Sequence, residues 1–207
     1  MNPRAAARIL AAAGLAAALS GCFLSPEEVK PAAANTPVSQ NAWETRRGAL
    51  LQVQNFTLQG RLAESGLVSF GGDLSWMQTG RSFQARFYGP LGVGAVAISG
   101  MPGDMQVRTK DGSYQTDDPA AFMRQQFGWS VPVDGLRYWV LGLPAPGKLD
   151  ALQLDDSGHI LSLQQNGFTL EYTQYQPVGK LELPGRFTIR DAKRGFKVFI
   201  DQWVSVE

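Results

Sequence analysis

The sequence predicts a mainly β domain of α+β type, built as one large antiparallel sheet that curls, with about three helices over one face. Three observations predict it. Apolar and polar residues alternate with period two through most of the chain. Turns rich in its 23 glycines and 12 prolines separate these runs, at spacings too short for crossover helices. The few remaining segments carry helix start and stop signals instead. The runs number roughly ten or eleven, and an open sheet of that size curls rather than lying flat.

In chain order, residues 1–21 stand apart from this domain. "MNPRAAARILAAAGLAAALSGC" places Arg4 and Arg8 before an apolar run typical of export signals. The run is shorter than the ~20 apolar residues of a membrane-spanning helix. It ends in Leu19-Ser20-Gly21-Cys22, which resembles the bacterial lipobox. That resemblance implies cleavage before Cys22 and attachment of three acyl chains to it. Cys22 is the only cysteine, so an intramolecular disulfide is excluded. A lone thiol elsewhere would read as a reactive group or a small buried hydrophobe; at the border of an export signal it reads as a lipid anchor. Multiple acyl chains hold a protein stably on a bilayer. Phe23, rather than Asp, follows the cysteine, which under the usual bacterial sorting rule implies the outer membrane.

Loss of Arg4 and Arg8 takes the 19 basic residues to 17 against 18 acidic, so overall charge does not draw the mature chain to anionic surfaces. Residues 22–41 read as the lipidated terminus and a flexible tether, being Pro- and Ala-rich without periodicity. The domain spans 42–207. Its first element is an amphipathic helix in "NAWETRRGALLQVQ", with Trp43, Leu50, Leu51 and Val53 at roughly helical spacing and Glu44 and Arg47 as an exposed pair.

Strands follow. "NFTLQGRLA" sets Phe56, Leu58 and Leu62 against Thr57, Gln59 and Arg61. "SFGGDLSWM" repeats the alternation with Phe70, Leu74 and Trp76, and "RSFQARFYG" with Phe83, Ala85 and Phe87. "VGAVAISG", "DMQVRTK" and "SYQT" continue the pattern, broken by turns at Met101-Pro102-Gly103-Asp104 and Lys110-Asp111-Gly112. Asp117-Asp118-Pro119 then supplies an N-cap and a first-turn proline for a helix bearing Phe122, Met123 and Phe127. A third helix carries Leu136, Trp139 and Val140 on one face and stops at Gly142 and Pro144. The second half returns to strands joined at Asp156-Ser157-Gly158, Asn166-Gly167 and Lys193-Arg194-Gly195.

The residue inventory argues against catalysis. His159, the single histidine, falls in a turn and reads as a surface residue. With no second histidine and no cysteine left over, no metal set is predicted, and no cofactor either. No nucleophile elbow or phosphate-binding loop occurs, so no catalytic residue is assigned and an enzyme is not expected. The absence of a basic run speaks against nucleic acid. Eleven Phe, five Trp and five Met fit either an ordinary core or an enclosed apolar cavity.

One turn is anomalous. In "RFYGPLGVGAVAIS" the tip, where polar residues are usual, carries Leu91 between Pro90 and Gly92. Read alone, this leucine either folds back on its own sheet or stands out for a partner.

"FTLQGRLA", "RFYGPLG", "LRYWVLGLP" at 136–144 and the tail "FKVFIDQWV", in this order and separation, resemble the LolB family of outer-membrane lipoprotein receptors. The similarity runs over about residues 42–205. It implies an incomplete, strongly curved β-barrel closed by helices over a hydrophobic cavity. It also implies a monomeric receptor, facing the periplasm, that accepts the acyl chains of cargo lipoproteins from the periplasmic carrier LolA and releases them into outer-membrane phospholipid. Leu91, flanked by Pro90 and Gly92, matches the family's exposed leucine for membrane insertion. Candidates for the cavity wall are Phe56, Leu58, Leu62, Leu74, Trp76, Phe83 and Phe87 on strands, and Phe122, Met123, Leu136 and Trp139 on helices. The alternative is a general lipid-binding or scaffolding outer-membrane lipoprotein that works without the carrier.

Overall fold

Eleven strands form one antiparallel sheet in the computed structural model, which describes residues 35–65, 71–89, 95–127 and 133–207. The described residues all belong to the unit Ala33–Glu207. Cys22, the tether up to residue 34, and the Pro90-Leu91-Gly92 tip lie outside them, as does the Met123 side chain.

Helix α1 spans Pro37–Leu50 and starts earlier than the apolar spacing around Trp43 suggests. The reason is local: Thr36 is its N-cap, accepting from the Ser39 N–H at 3.1 Å, and Pro37 follows at the first helical position. Trp43 and Leu50 face inward, whereas Leu51 is exposed, and Glu44 and Arg47 pair at 3.4 Å on the outer side.

A meander follows: β1 Asn55–Ser65, β2 Gly71–Thr79, β3 Ser82–Tyr88, β4 Val96–Met101, β5 Asp104–Thr109 and β6 Gly112–Thr116. Helices α2, Pro119–Phe127, and α3, Val133–Trp139, come next. Asp118 caps α2, its Oδ1 accepting from the Ala121 N–H at 2.8 Å. Past α3 the Gly142 N–H donates to the Trp139 carbonyl and the Leu143 N–H to that of Tyr138. This is a Schellman closure, with Gly142 at φ +73°. A second meander comprises β7 Leu149–Leu154, β8 Ile160–Gln165, β9 Phe168–Val178, β10 Leu181–Arg190 and β11 Gly195–Val206.

The two meanders join where β1 pairs with β11, giving the order β6-β5-β4-β3-β2-β1-β11-β10-β9-β8-β7. That ladder shifts register on either side of Gln59. Gly60 is required there, because a Cβ would stand 2.0 Å from the Phe199 carbonyl oxygen. The sheet does not close: β6 and β7 are its two edges.

His159 corrects the sequence reading. It is 9% exposed rather than a surface residue. Its Nδ1 lies 2.9 Å from Asp155 Oδ2, its Nε2 2.9 Å from Glu182 Oε2, and its ring 4.3 Å from that of Tyr175. The turn before it is covered by α1, so closely that a Cβ on Gly158 would approach the Trp43 nitrogen to 2.4 Å. A sequence-distant helix, not the turn, decides the burial.

Candidate functional site

The alternation of β1–β4 delivers one apolar stripe to a single sheet face. Leu74 stands opposite Phe87, Trp76 opposite Ala85, Ala85 opposite Ile98 and Phe87 opposite Val96. Across the junction of the meanders, Leu62 pairs with Val198 and Val198 with Phe187, and Phe196 pairs with Ile189. Leu136 and Val140, in and just after α3, lie over this stripe. Together they enclose an apolar cavity of about 90 Å³. Arg86 is the one charged residue in its lining, and that side chain is exposed.

Hydrogen bonds fix the wall without adding polarity to it. The Trp76 indole donates to Gln78 Oε1 at 3.1 Å, and Gln78 Nε2 donates to the Gly80 and Ser82 carbonyls. Trp76 also stacks on Phe83 with centroids 5.1 Å apart. Behind Phe187, Tyr172 stacks at 5.2 Å and donates its hydroxyl to the Trp139 carbonyl at 2.9 Å. Burial pushes that phenol well above its ordinary range, so it remains a neutral donor.

Of the residues proposed for the wall, Leu62, Leu74, Trp76, Phe87 and Leu136 line this cavity. Phe56, Leu58, Phe83 and Trp139 are buried in the packed core and do not line it. Phe56 meets Trp203 edge-on at 5.6 Å, and Trp139 packs on Phe168 at 5.6 Å, so protein fills the space beside them. Phe122 turns to the edge strand instead, its ring 5.0 Å from that of Tyr114. Sequence reasoning missed Phe187, Ile189, Phe196 and Val198 on β10 and β11, besides Ala85, Val96, Ile98 and Val140. The alternation in "RFTIR" and "GFKVF" carries a signal for the first four.

The cavity sits at the end of the sheet where β1 leaves, β2 enters and the 89–95 connection starts and finishes. Phe87 and Val96, both lining residues, flank the segment that contains Pro90, Leu91 and Gly92. No group of metal-binding side chains occurs among the described residues. The arrangement is a container for apolar matter.

The sequence model of the family described as "Outer membrane lipoprotein LolB" matches residues 54–203. The chain belongs to the LolB family. It is 35% identical to the outer-membrane lipoprotein LolB of Nitrosococcus oceani, over 79% of this chain and 83% of that one. Identity to LolB of Pseudomonas paraeruginosa is 31%, over 95% of both chains. A DUF1329 family protein from Desulfovibrio piger shares the fold at a TM-score of 0.50 and 10% identity, covering 83% of this chain and 93% of that one. The segment matched by the LolB family includes every residue that lines the cavity. Among the described residues no helix is long and apolar enough to cross a membrane.

Proposed function

We propose that this chain is an outer-membrane lipoprotein receptor that accepts acylated lipoproteins from the periplasmic carrier LolA and inserts them into the outer membrane. Membership of the LolB family supports the reading, and the apolar cavity carries it. Burial is worth about 0.8 kcal/mol per methylene, so exposing three acyl chains to water costs on the order of 30 kcal/mol. A cargo of that kind crosses an aqueous gap only inside a protein, passing from cavity to cavity and then to bilayer.

The present volume supports a resting form of such a container. Pockets for drug-sized ligands occupy roughly 300–1,000 Å³. Three acyl chains are larger than such a ligand, so the 90 Å³ cavity must widen to load. Leu136 and Val140 form the part of the lining outside the strand ladder, and their movement away from the sheet opens it without breaking a strand pair. In this reading Cys22 anchors the mature chain through its own acyl groups, and Leu91 brings the cavity end onto the lipid surface.

The test is a two-step transfer. The mature chain carrying Cys22→Ala is mixed with carrier-bound lipoprotein, then with liposomes, and cargo is followed at each step. Cargo should move first from carrier to receptor and then to vesicles. Binding of free lipid without capture from the carrier would replace this reading with that of a general lipid-binding lipoprotein.

A further inference from the structure

The apolar cavity ends at one row of the sheet. On β2, β3 and β4 its lining residues form two rows, Leu74-Phe87-Val96 beside the 89–95 connection and Trp76-Ala85-Ile98 behind it. The row after that, Gln78-Phe83-Gly100, contributes nothing to the lining. Successive rows lie two residues apart, which is about 7 Å along a strand. In the last lining row Trp76 is the one large ring, and it stands opposite the small Ala85.

Trp76 is held as a floor. It is 2% exposed and is backed by Phe83 of the next row, on which it stacks. Its indole N–H donates to Gln78 Oε1, while Gln78 Nε2 donates to the Gly80 and Ser82 carbonyls. Gln78 is itself buried, so this amide is fully engaged in fixing the ring. Beyond Trp76 lies a second space of about 620 Å³, and among the described residues Trp76 alone lines both. Gln78, Arg81 and Arg137 line that second space. A hydrocarbon chain that passed the indole would therefore meet polar groups, where a methylene gains little.

We propose that Trp76 is the floor of the acyl cavity and sets the length of hydrocarbon chain that the protein takes, with Gln78 as the residue that positions it. The inference rests on the acyl-container reading above and adds to it a selectivity for chain length. Leu136 and Val140 let the cavity widen, whereas the indole is tied to β2 and its turn, so depth does not follow width. Each methylene that fits above the indole adds affinity, and each one stopped by it stays in water and adds none.

The test titrates the mature chain carrying Cys22→Ala calorimetrically with octyl, decyl, dodecyl and tetradecyl maltoside, each below its micelle concentration. Affinity should rise about fourfold per methylene over the shorter members and then level off. Trp76→Ala should move the plateau to longer chains. Ala85→Leu, which fills space in front of the indole, should move it to shorter ones, and it carries the test if circular dichroism shows Trp76→Ala unfolded. Gln78→Met keeps the bulk but removes the acceptor of the indole N–H; it should raise the affinity for tetradecyl over dodecyl maltoside, a ratio that a merely structural amide would not move. Affinity that climbs through tetradecyl in the unaltered cavity, or a plateau that Ala85→Leu leaves in place, would overturn the floor and leave the receptor reading standing. An unchanged profile in Gln78→Met would overturn its positioning role. Binding of no maltoside at all would overturn both the floor and the acyl container. The expected plateau without capture of cargo from the carrier would support the floor and remove only the receptor function.

Discussion

Phe87 of β3 stands directly across from Val96 of β4, and both side chains reach the apolar cavity. The connection between them, which holds Leu91, is therefore rooted in the cavity wall at both ends. An inserted leucine gains only about 1.5–3 kcal/mol, which adds little to an acyl anchor but suffices to orient the cavity end toward lipid. Leu91→Glu should leave capture of cargo from the carrier intact and sharply reduce delivery to liposomes. Equal delivery by the variant in the two-step assay would remove the insertion role.

Ile98 faces the cavity next to Ala85. Replacing it with tryptophan fills space at a cost of about 1–3 kcal/mol in stability, well short of unfolding a stable domain. Ile98→Trp should keep its circular dichroism spectrum and lose most cargo uptake. Full uptake would mean that acyl chains go elsewhere.

Gln165 holds the segment after α3 by a closed pair of bonds: its amide oxygen accepts from the Ala145 N–H at 2.8 Å and its nitrogen donates to the Ala145 carbonyl at 2.8 Å. Gln165 is buried, so Gln165→Leu strands both backbone groups away from water. The expected loss is about 2–4 kcal/mol, read from urea unfolding. A change within experimental error would show that the 143–147 segment finds water or other partners.

Burial acts to raise the Asp155 carboxyl, but hydrogen bonds from the His159 N–H, the His159 ring and the Ser157 N–H outweigh it. Its folded value thus lies below the ordinary 3.8. Its stabilising contribution is complete above that value and is lost as pH falls through the folded one. The urea midpoint should accordingly fall on acidification below about pH 4, and Asp155→Asn should flatten this limb. An identical acid limb in the variant would assign the acid sensitivity to other carboxylates.

Strand content was legible because β1, β2 and β3 each bury alternate residues, as with Phe83, Ala85 and Phe87 against exposed Gln84 and Arg86. The cavity was legible only by half. Leu62 is paired with Val198 although the two are far apart in sequence, and period-two alternation does not say which strands become neighbours. For the same reason nothing in the sequence separates Phe187 and Phe196 from ordinary strand residues: the pairing of β11 with β1 brings them to the cavity. Phe56 and Leu58 have the right phase but are buried against other side chains, Phe56 edge-on to Trp203 at 5.6 Å: alternation reports the face of a strand, not what packs over each residue on it. His159 was misread because its turn lies beneath α1, a covering that hairpin chemistry does not encode.

The separation of β6 from β7 in the sheet order has a mechanical meaning. A closed barrel has a circumference set by its strand number and stagger, so its bore is fixed unless a ladder tears. An unjoined sheet carries no such hoop constraint. Small changes of twist, shared among ten intact strand pairs, can spread the rim while every interstrand hydrogen bond survives. The open sheet has the topology of a split ring, whose bore can change while its register stays fixed.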